Sequence, residues 1–334
     1  MSNVLQGMDE RNQTGVPEFL VLGFGNLHNL RILLFILFLV IYVMVLSANV
    51  LVIALVGANQ SLHSPMYFFL SQLSLSEILF TSNIVPNMLW LILAGGGKIS
   101  VARCIFQFYL LAVPTISQCL LLAAMSLDRH VAICRPLHYA NIMTFTRQNQ
   151  IVSFCWLMGF TCSLVIYIFL SKLQFCGLTI INHFFCDIMS LIRLSCSDTM
   201  PVQLATAVVA IPVLLSPSMF ILVTYISILH IILKMPSISG RHKAFSTCSS
   251  HLTIVCVYYG TFGFIYLFPT NNNVVNTNKG LSLLYTLVTP LLNPIIYSLR
   301  SQDIRSAVYK SVRTFMPWKS MYWYLERPGW KQIL

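Results

Sequence analysis

Charge is what this 334-residue chain has least of: 9% of its residues are Asp, Glu, Lys or Arg, against roughly a quarter in an ordinary soluble domain. With 57% hydrophobic residues beside it, that scarcity excludes a water-soluble globule and points to a membrane. Acidic residues are scarcest, nine in all, and Glu77 alone falls deep inside an apolar run; paired-carboxylate catalysis therefore lacks its second member. No His-Glu-x-x-His, Gly-x-Ser-x-Gly or phosphate-cradling glycine loop is present, so neither an enzyme nor a cofactor is expected. A clustered basic domain is missing too. The net charge of +11 is scattered over short segments between apolar runs, which argues against nucleic acid and for anionic lipid and a partner at one membrane face. Residues 1–29 contain no apolar run ahead of a small-residue cleavage site, so no removable signal is expected. Neither an internal repeat of the transporter kind nor a Gly-x-x-x-Gly helix face is found.

What is present is a series of long apolar runs: about Ile32–Val56, Met66–Ala94, Cys104–Leu127, Ile151–Leu170, Val202–Leu233, Ala244–Phe268 and Leu281–Leu299. Each reaches the roughly 20 residues a helix needs to span a bilayer. Because lipid excludes open strands and irregular backbone, seven such runs predict one all-α membrane bundle of seven transmembrane helices.

Seven crossings put the chain ends on opposite sides. Thirteen of the 20 Lys and Arg fall on the side of the C-terminus, which places that end in the cytoplasm and the N-terminus outside. Arg11 and Arg31 run locally against this sum. Asn12-Gln13-Thr14 offers a glycosylation acceptor on the outer side, at Asn12. Cys104, Cys176, Cys186 and Cys196 also fall there, where disulfides persist, and four cysteines leave three pairings open. Glu77 is costly to bury and is a functional candidate or a hydrogen-bonded packing residue. Asp128 and Arg129 lie side by side at the inner end of the third run, while Pro290, Asn293, Pro294 and Tyr297 punctuate the seventh. Those prolines remove backbone donors and predict a kinked end that can pivot.

Four stretches carry a resemblance. Leu62-His63-Ser64-Pro65-Met66-Tyr67-Phe68-Phe69-Leu70, Met125-Ser126-Leu127-Asp128-Arg129-His130-Val131-Ala132-Ile133-Cys134-Arg135-Pro136-Leu137, Lys243-Ala244-Phe245-Ser246-Thr247-Cys248-Ser249-Ser250-His251-Leu252 and Pro290-Leu291-Leu292-Asn293-Pro294-Ile295-Ile296-Tyr297-Ser298-Leu299-Arg300 resemble, in order, signatures of the olfactory receptors. These are the tetrapod-type odorant-receptor branch of the rhodopsin-like G protein-coupled receptors. The resemblance covers about Pro17 to Val312.

It implies an extracellular tail over 1–29, a receptor domain over 30–300, a short amphipathic cytoplasmic eighth helix over 301–315 and a cytoplasmic tail over 316–334. Arg129 would be a switch held to Asp128 when inactive and released toward a G protein and Tyr297 when active. Tyr225 would help hold the open state, with Asn293 and Pro294 in the pivoting helix end. Cys104 would bridge to Cys186 and Cys176 to Cys196. Asn49, Glu77 and Asn293 would correspond to the polar residues around a sodium site in related receptors, but Gln118 stands where a second carboxylate is frequent, so no metal is expected.

The chain also departs from the family. It reads Ser126-Leu127-Asp128-Arg129-His130 where Ala-Tyr-Asp-Arg-Tyr is usual, which removes two rings from the coupling end, and its tail carries Trp318, Tyr322, Trp323, Tyr324 and Trp330.

The family binds small volatile molecules between the third, fifth and sixth helices. Helical spacing then nominates Leu111, Ala112, Thr115, Ile116 and Cys119 on the third, Thr206, Val209, Ala210 and Val213 on the fifth, and Tyr259, Phe262, Gly263 and Tyr266 on the sixth. The third-helix face holds no Asp or Glu, which favours neutral odorants over charged amines. Implied partners are a volatile odorant, a stimulatory olfactory-type heterotrimeric G protein and membrane lipid, with the receptor in the plasma membrane. The competing readings are a rhodopsin-like receptor for another neutral ligand, a lipid or metabolite, outside the olfactory epithelium, and a seven-helix transporter or channel.

Overall fold

The computed structural model of the chain describes residues 18–25, 30–177, 179–267, 275–300 and 302–315, without the side chains at 242–244, 246–247, 250, 262–267, 275–278, 297–300, 302 and 310–315. Asn12 and the tail 316–334 lie outside the described residues, as do the side chains of Phe262, Tyr266 and Tyr297 and the surroundings of Gly263.

Seven helical segments form the bundle: α1 (Arg31–Ala58), α2 (Pro65–Ala94), α3 (Val101–Cys134), α5 (Phe145–Leu170), α7 (Met200–Lys234), α8 (Ile238–Leu267) and a seventh made of α9 (Val275–Leu283), a π turn (Leu284–Val288) and α10 (Thr289–Arg300). Two short helices, α4 (Tyr139–Ile142) and α6 (Ile188–Leu194), lie in the connections, and α11 (Gln302–Phe315) follows the seventh segment. Among the described residues, α1, α2, α3, α5 and α7 are each long and apolar enough to cross a membrane on length and composition alone. The chain is an all-α membrane protein of the seven-helix kind.

Local chemistry sets the helix ends. Pro65 occupies the first turn of α2, where its missing N–H costs nothing. Ser100 caps α3 by accepting from the Arg103 N–H at 3.3 Å, and Thr144 caps α5 through Arg147 at 3.4 Å. In the seventh segment Pro290 cannot donate to the Thr286 carbonyl and its ring crowds that oxygen, and the turn just ahead of it is the π turn.

Helix α3 is the axis, packed against α2, α5 and α7. Its crossing with α5 is close because Gly159 has no side chain: a Cβ there would stand 2.4 Å from Ser117 Oγ and 2.7 Å from the Val113 carbonyl oxygen. Leu121, Leu122 and Met125 of α3 join Phe69, Leu70 and Leu73 of α2 in the central core. Large apolar side chains such as Ile32, Leu33 and Ile36 on α1 and Leu204, Val208 and Leu215 on α7 point outward; they are the lipid-facing band of the bundle.

One end of the bundle is not helical, which periodicity did not predict. Strand β1 (Glu18–Val21) pairs antiparallel with β2 (Gly97–Ser100) and parallel with β3 (Ile180–Ile181), giving the order β2-β1-β3. Phe19 and Val21 are buried on the inward face of β1 while Glu18 and Leu20 face out, the alternation of a half-buried strand. Residues read from sequence as part of a polar tail therefore form the middle strand of a lid. Gly95 and Gly96, at φ +75° and +121°, turn the chain from α2 into β2.

Candidate ligand cavity and switch site

The sheet closes the end of the bundle where both disulfides lie. Cys104 is bonded to Cys186 and Cys176 to Cys196, the pairing the resemblance implied among the three possible. The first ties α3 to the loop that carries β3 and α6. Lys279 of α9 adds a third tie, its Nζ donating to the Gly23 carbonyl and to Asn182 Oδ1, both at 2.7 Å. His183, buried against Phe184 and Phe185 and 3.2 Å from Ser282 Oγ, is pushed down to about 3 by burial and by the Lys279 charge, so it is neutral at physiological pH.

Beneath this lid lies a cavity of about 110 Å³, small beside the roughly 300–1,000 Å³ of drug-sized pockets. Its wall brings together all nine residues nominated on two helices: Leu111, Ala112, Thr115, Ile116 and Cys119 of α3 with Thr206, Val209, Ala210 and Val213 of α7. Tyr259 does not line it; its hydroxyl donates to the Cys119 carbonyl at 3.4 Å from within the core. Its neighbour Tyr258, overlooked from sequence, reaches the Thr115 carbonyl at 2.9 Å. Seven further described residues line it and were not nominated; among them Phe185, Asp187 and Ile188 arrive with the loop after β3, and Tyr285 lies in the π turn. Burial pushes the Asp187 carboxyl up, opposed by the backbone N–H groups of Ser190, Met189 and Ile188 and the Arg193 charge.

At the opposite end, Arg129 is paired with Asp128, its Nε 3.0 Å from Oδ2. The other carboxylate oxygen, Oδ1, accepts from the Tyr139 hydroxyl of α4 at 2.7 Å. This closed pair is wholly inside on its acid side, with Asp128 at 0% exposure. Tyr225 meets His251 rather than Arg129: its hydroxyl is 2.6 Å from Nδ1 and the rings stack at 5.7 Å. Removing the Tyr139 hydroxyl takes away one hydrogen bond from this arrangement, about 1 kcal/mol. Tyr139→Phe is therefore expected to lower the thermal midpoint of the purified protein by about 1–2 °C, and an unchanged midpoint would show the bond to be idle.

Between the two ends, Glu77 of α2 accepts from Asn293 Nδ2 of α10, and Asn49 Nδ2 of α1 donates to the Pro290 carbonyl at 3.1 Å. The three residues are buried together and tie α1, α2 and α10 through Pro290 and Asn293. Among the described residues no group of three or more His, Cys, Asp or Glu is placed to hold a metal ion. Glu77 Oε2, Asn49 Oδ1 and Asn293 Oδ1 are nonetheless buried oxygens without a hydrogen-bond partner among the described residues, donors of the kind a small hard cation takes, and no step is assigned to one.

Comparison with known proteins agrees with this architecture. The family model described as olfactory receptor matches residues 38–314. The chain is 44% identical to human Olfactory receptor 10R2 over 90% of this chain and 89% of that one. It is 43% identical to human Olfactory receptor 6F1, covering 91% and 98% of the two chains, and 42% identical to rat Olfactory receptor 226, covering 91% and 95%. A seven-helix bundle with a lidded cavity at one end and a paired arginine at the other, matched over this length, makes the chain a member of the olfactory receptor family.

Proposed function

We propose that this chain is an odorant receptor of the plasma membrane, with its N-terminus and disulfide-tied lid outside. A small neutral volatile molecule enters the cavity and shifts the bundle toward a state in which Arg129 is released from Asp128. The freed end then engages a stimulatory olfactory-type heterotrimeric G protein, and cyclic AMP rises. The observation that carries this reading is the separation of roles along α3: Leu111 to Cys119 wall the cavity, while Asp128 and Arg129, nearly three turns further on, hold the closed pair. A ligand that binds the open state more tightly at one end shifts the population seen at the other.

Orientation is supported by the thirteen basic residues on the Arg129 side and by the disulfides at the opposite end. Helix α11 lies at the Arg129 end, where Asp303 Oδ2 accepts from the Tyr67 hydroxyl at 3.0 Å.

The test is cyclic AMP in cells displaying an N-terminally tagged receptor, challenged with pooled neutral volatiles beside an Arg129→Ala variant. A rise in the wild type and none in the variant is expected. A displayed receptor that stays silent across the pools would overturn the volatile-ligand reading, and an Arg129→Ala receptor that signals normally would overturn the switch.

A further inference from the structure

Three hydrogen-bonding side chains in the described cavity wall, Thr115, Thr206 and Cys119, have already used their protons. Thr115 Oγ1 donates to the Leu111 carbonyl at 2.8 Å and Thr206 Oγ1 to the Val202 carbonyl at 2.7 Å, so each hydroxyl turns only lone pairs to a guest. Cys119 is in the same position. The Tyr258 hydroxyl gives its hydrogen to the Thr115 carbonyl at 2.9 Å, which leaves the thiol as donor in the 3.4 Å contact between Cys119 Sγ and Tyr258.

Asp187 is the strongest acceptor of the set. It caps α6, accepting from the Ser190 N–H at 3.3 Å through Oδ2 and from the Met189 and Ile188 N–H groups as well. A carboxylate has about four acceptor positions, so three backbone donors leave about one for a guest. The remaining oxygen-bearing residue among the described lining side chains is Tyr285, whose ring packs edge-on to Phe185 and whose hydroxyl can act either way. Taken together, the described wall is apolar with a surplus of acceptors.

From this surplus we infer that the cavity selects molecules that donate a hydrogen bond, small apolar compounds with a hydroxyl or an amine N–H, and that the Asp187 carboxylate is the acceptor that reads the donor. The inference rests on the cavity being the ligand site and adds the chemical class of ligand. A ketone or ether of the same shape would set its oxygen against lone pairs, losing its bond to water without a replacement. The lack of a carboxylate on the α3 face does not leave the cavity without one, because the loop after Cys186 supplies it.

The experiment uses the full-length receptor displayed in cells and two matched sets of probes: cyclohexanol, cyclohexanone and cyclohexylamine, and 1-octanol, 2-octanone and octylamine. The alcohol or the amine of a set is expected to act at concentrations at least about tenfold below the ketone. An alcohol that leads supports the donor rule with a neutral ligand; an amine that leads supports the donor rule with Asp187 as counter-ion and overturns the neutral-molecule reading. Asp187→Asn keeps a side chain able to cap α6 but adds an amide donor, and should narrow the preference to about threefold or less. Thr206→Val, which keeps the shape, should narrow it by a smaller factor. A ketone as potent as its alcohol, or an undiminished preference in a well-displayed Asp187→Asn receptor, overturns the donor rule while leaving the cavity as the site. No response to any probe overturns the cavity reading and the inference with it.

Discussion

Alanine at position 159 is expected to remove most of the receptor from the cell surface. Gly159 lies where α5 crosses α3, and an added Cβ would stand 2.4 Å from Ser117 Oγ and 2.7 Å from the Val113 carbonyl oxygen. The second contact decides the size of the effect, because a carbonyl inside a central helix cannot turn away as the end of a flexible side chain can. The helices must separate, and Ser117 then loses its 3.3 Å approach to the Cys155 carbonyl across the same crossing. Overpacking of this kind costs about 1–3 kcal/mol for a single methyl group, and valine should exceed that. A double variant isolates the cause. Ser117→Gly beside Gly159→Ala relieves the hydroxyl contact but not the carbonyl contact, so partial recovery of surface signal by flow cytometry is expected. Full display of Gly159→Ala alone would mean that the crossing is looser than its geometry.

Cys104→Ser should abolish the ligand response, and Cys176→Ser should weaken it less. Breaking a disulfide typically costs about 2–4 kcal/mol, and the chain-entropy account makes the cost grow with the length of loop released. Cys104 and Cys186 are 82 residues apart and Cys176 and Cys196 are 20 apart, a difference of about 1 kcal/mol in that account. Position adds to length. Cys186 sits between Phe185 and Asp187, both in the cavity wall, so releasing it frees two residues that shape the cavity. Cys176 anchors the far side of the loop, where Phe175 bridges to Ser195. The readouts are surface display and the concentration giving half-maximal cyclic AMP. Wild-type potency in Cys104→Ser would show that the lid holds its shape through the sheet and Lys279 alone.

The helices were legible in the sequence because their signal is long and repetitive. The inward faces of α3 and α7 followed from the same cause: once the rotation of a membrane helix is fixed, residues three and four apart share a wall, and Thr115 and Thr206 come with their neighbours. Strand β1 was not legible. Its alternation is only four residues long, Glu18-Phe19-Leu20-Val21, and its partners lie far along the chain. Asp187 and Phe185 were hidden for a related reason, since loop residues carry no period and are placed by the Cys104–Cys186 bond. Tyr285 faces the cavity through a π turn, and a reading at 3.6 residues per turn misplaces whatever follows such a turn. The partners Tyr139 and His251 belong to α4 and α8, and nothing in the spacing of either helix points to Asp128 or Tyr225.

The middle position of β1 in the lid bears on the order of assembly. A chain made from its N-terminus delivers Glu18–Val21 first, but β2 follows about 80 residues later and β3 about 160 residues later. Until Ile180 and Ile181 have been made, the first strand has no complete pairing to join, and closing so long a loop is slow. The opening segment of the chain is thus among the last to settle, after α1 to α5 are already side by side. The cavity is roofed only then, so a half-made chain has that cavity open to whatever chaperone or lipid lies beside it.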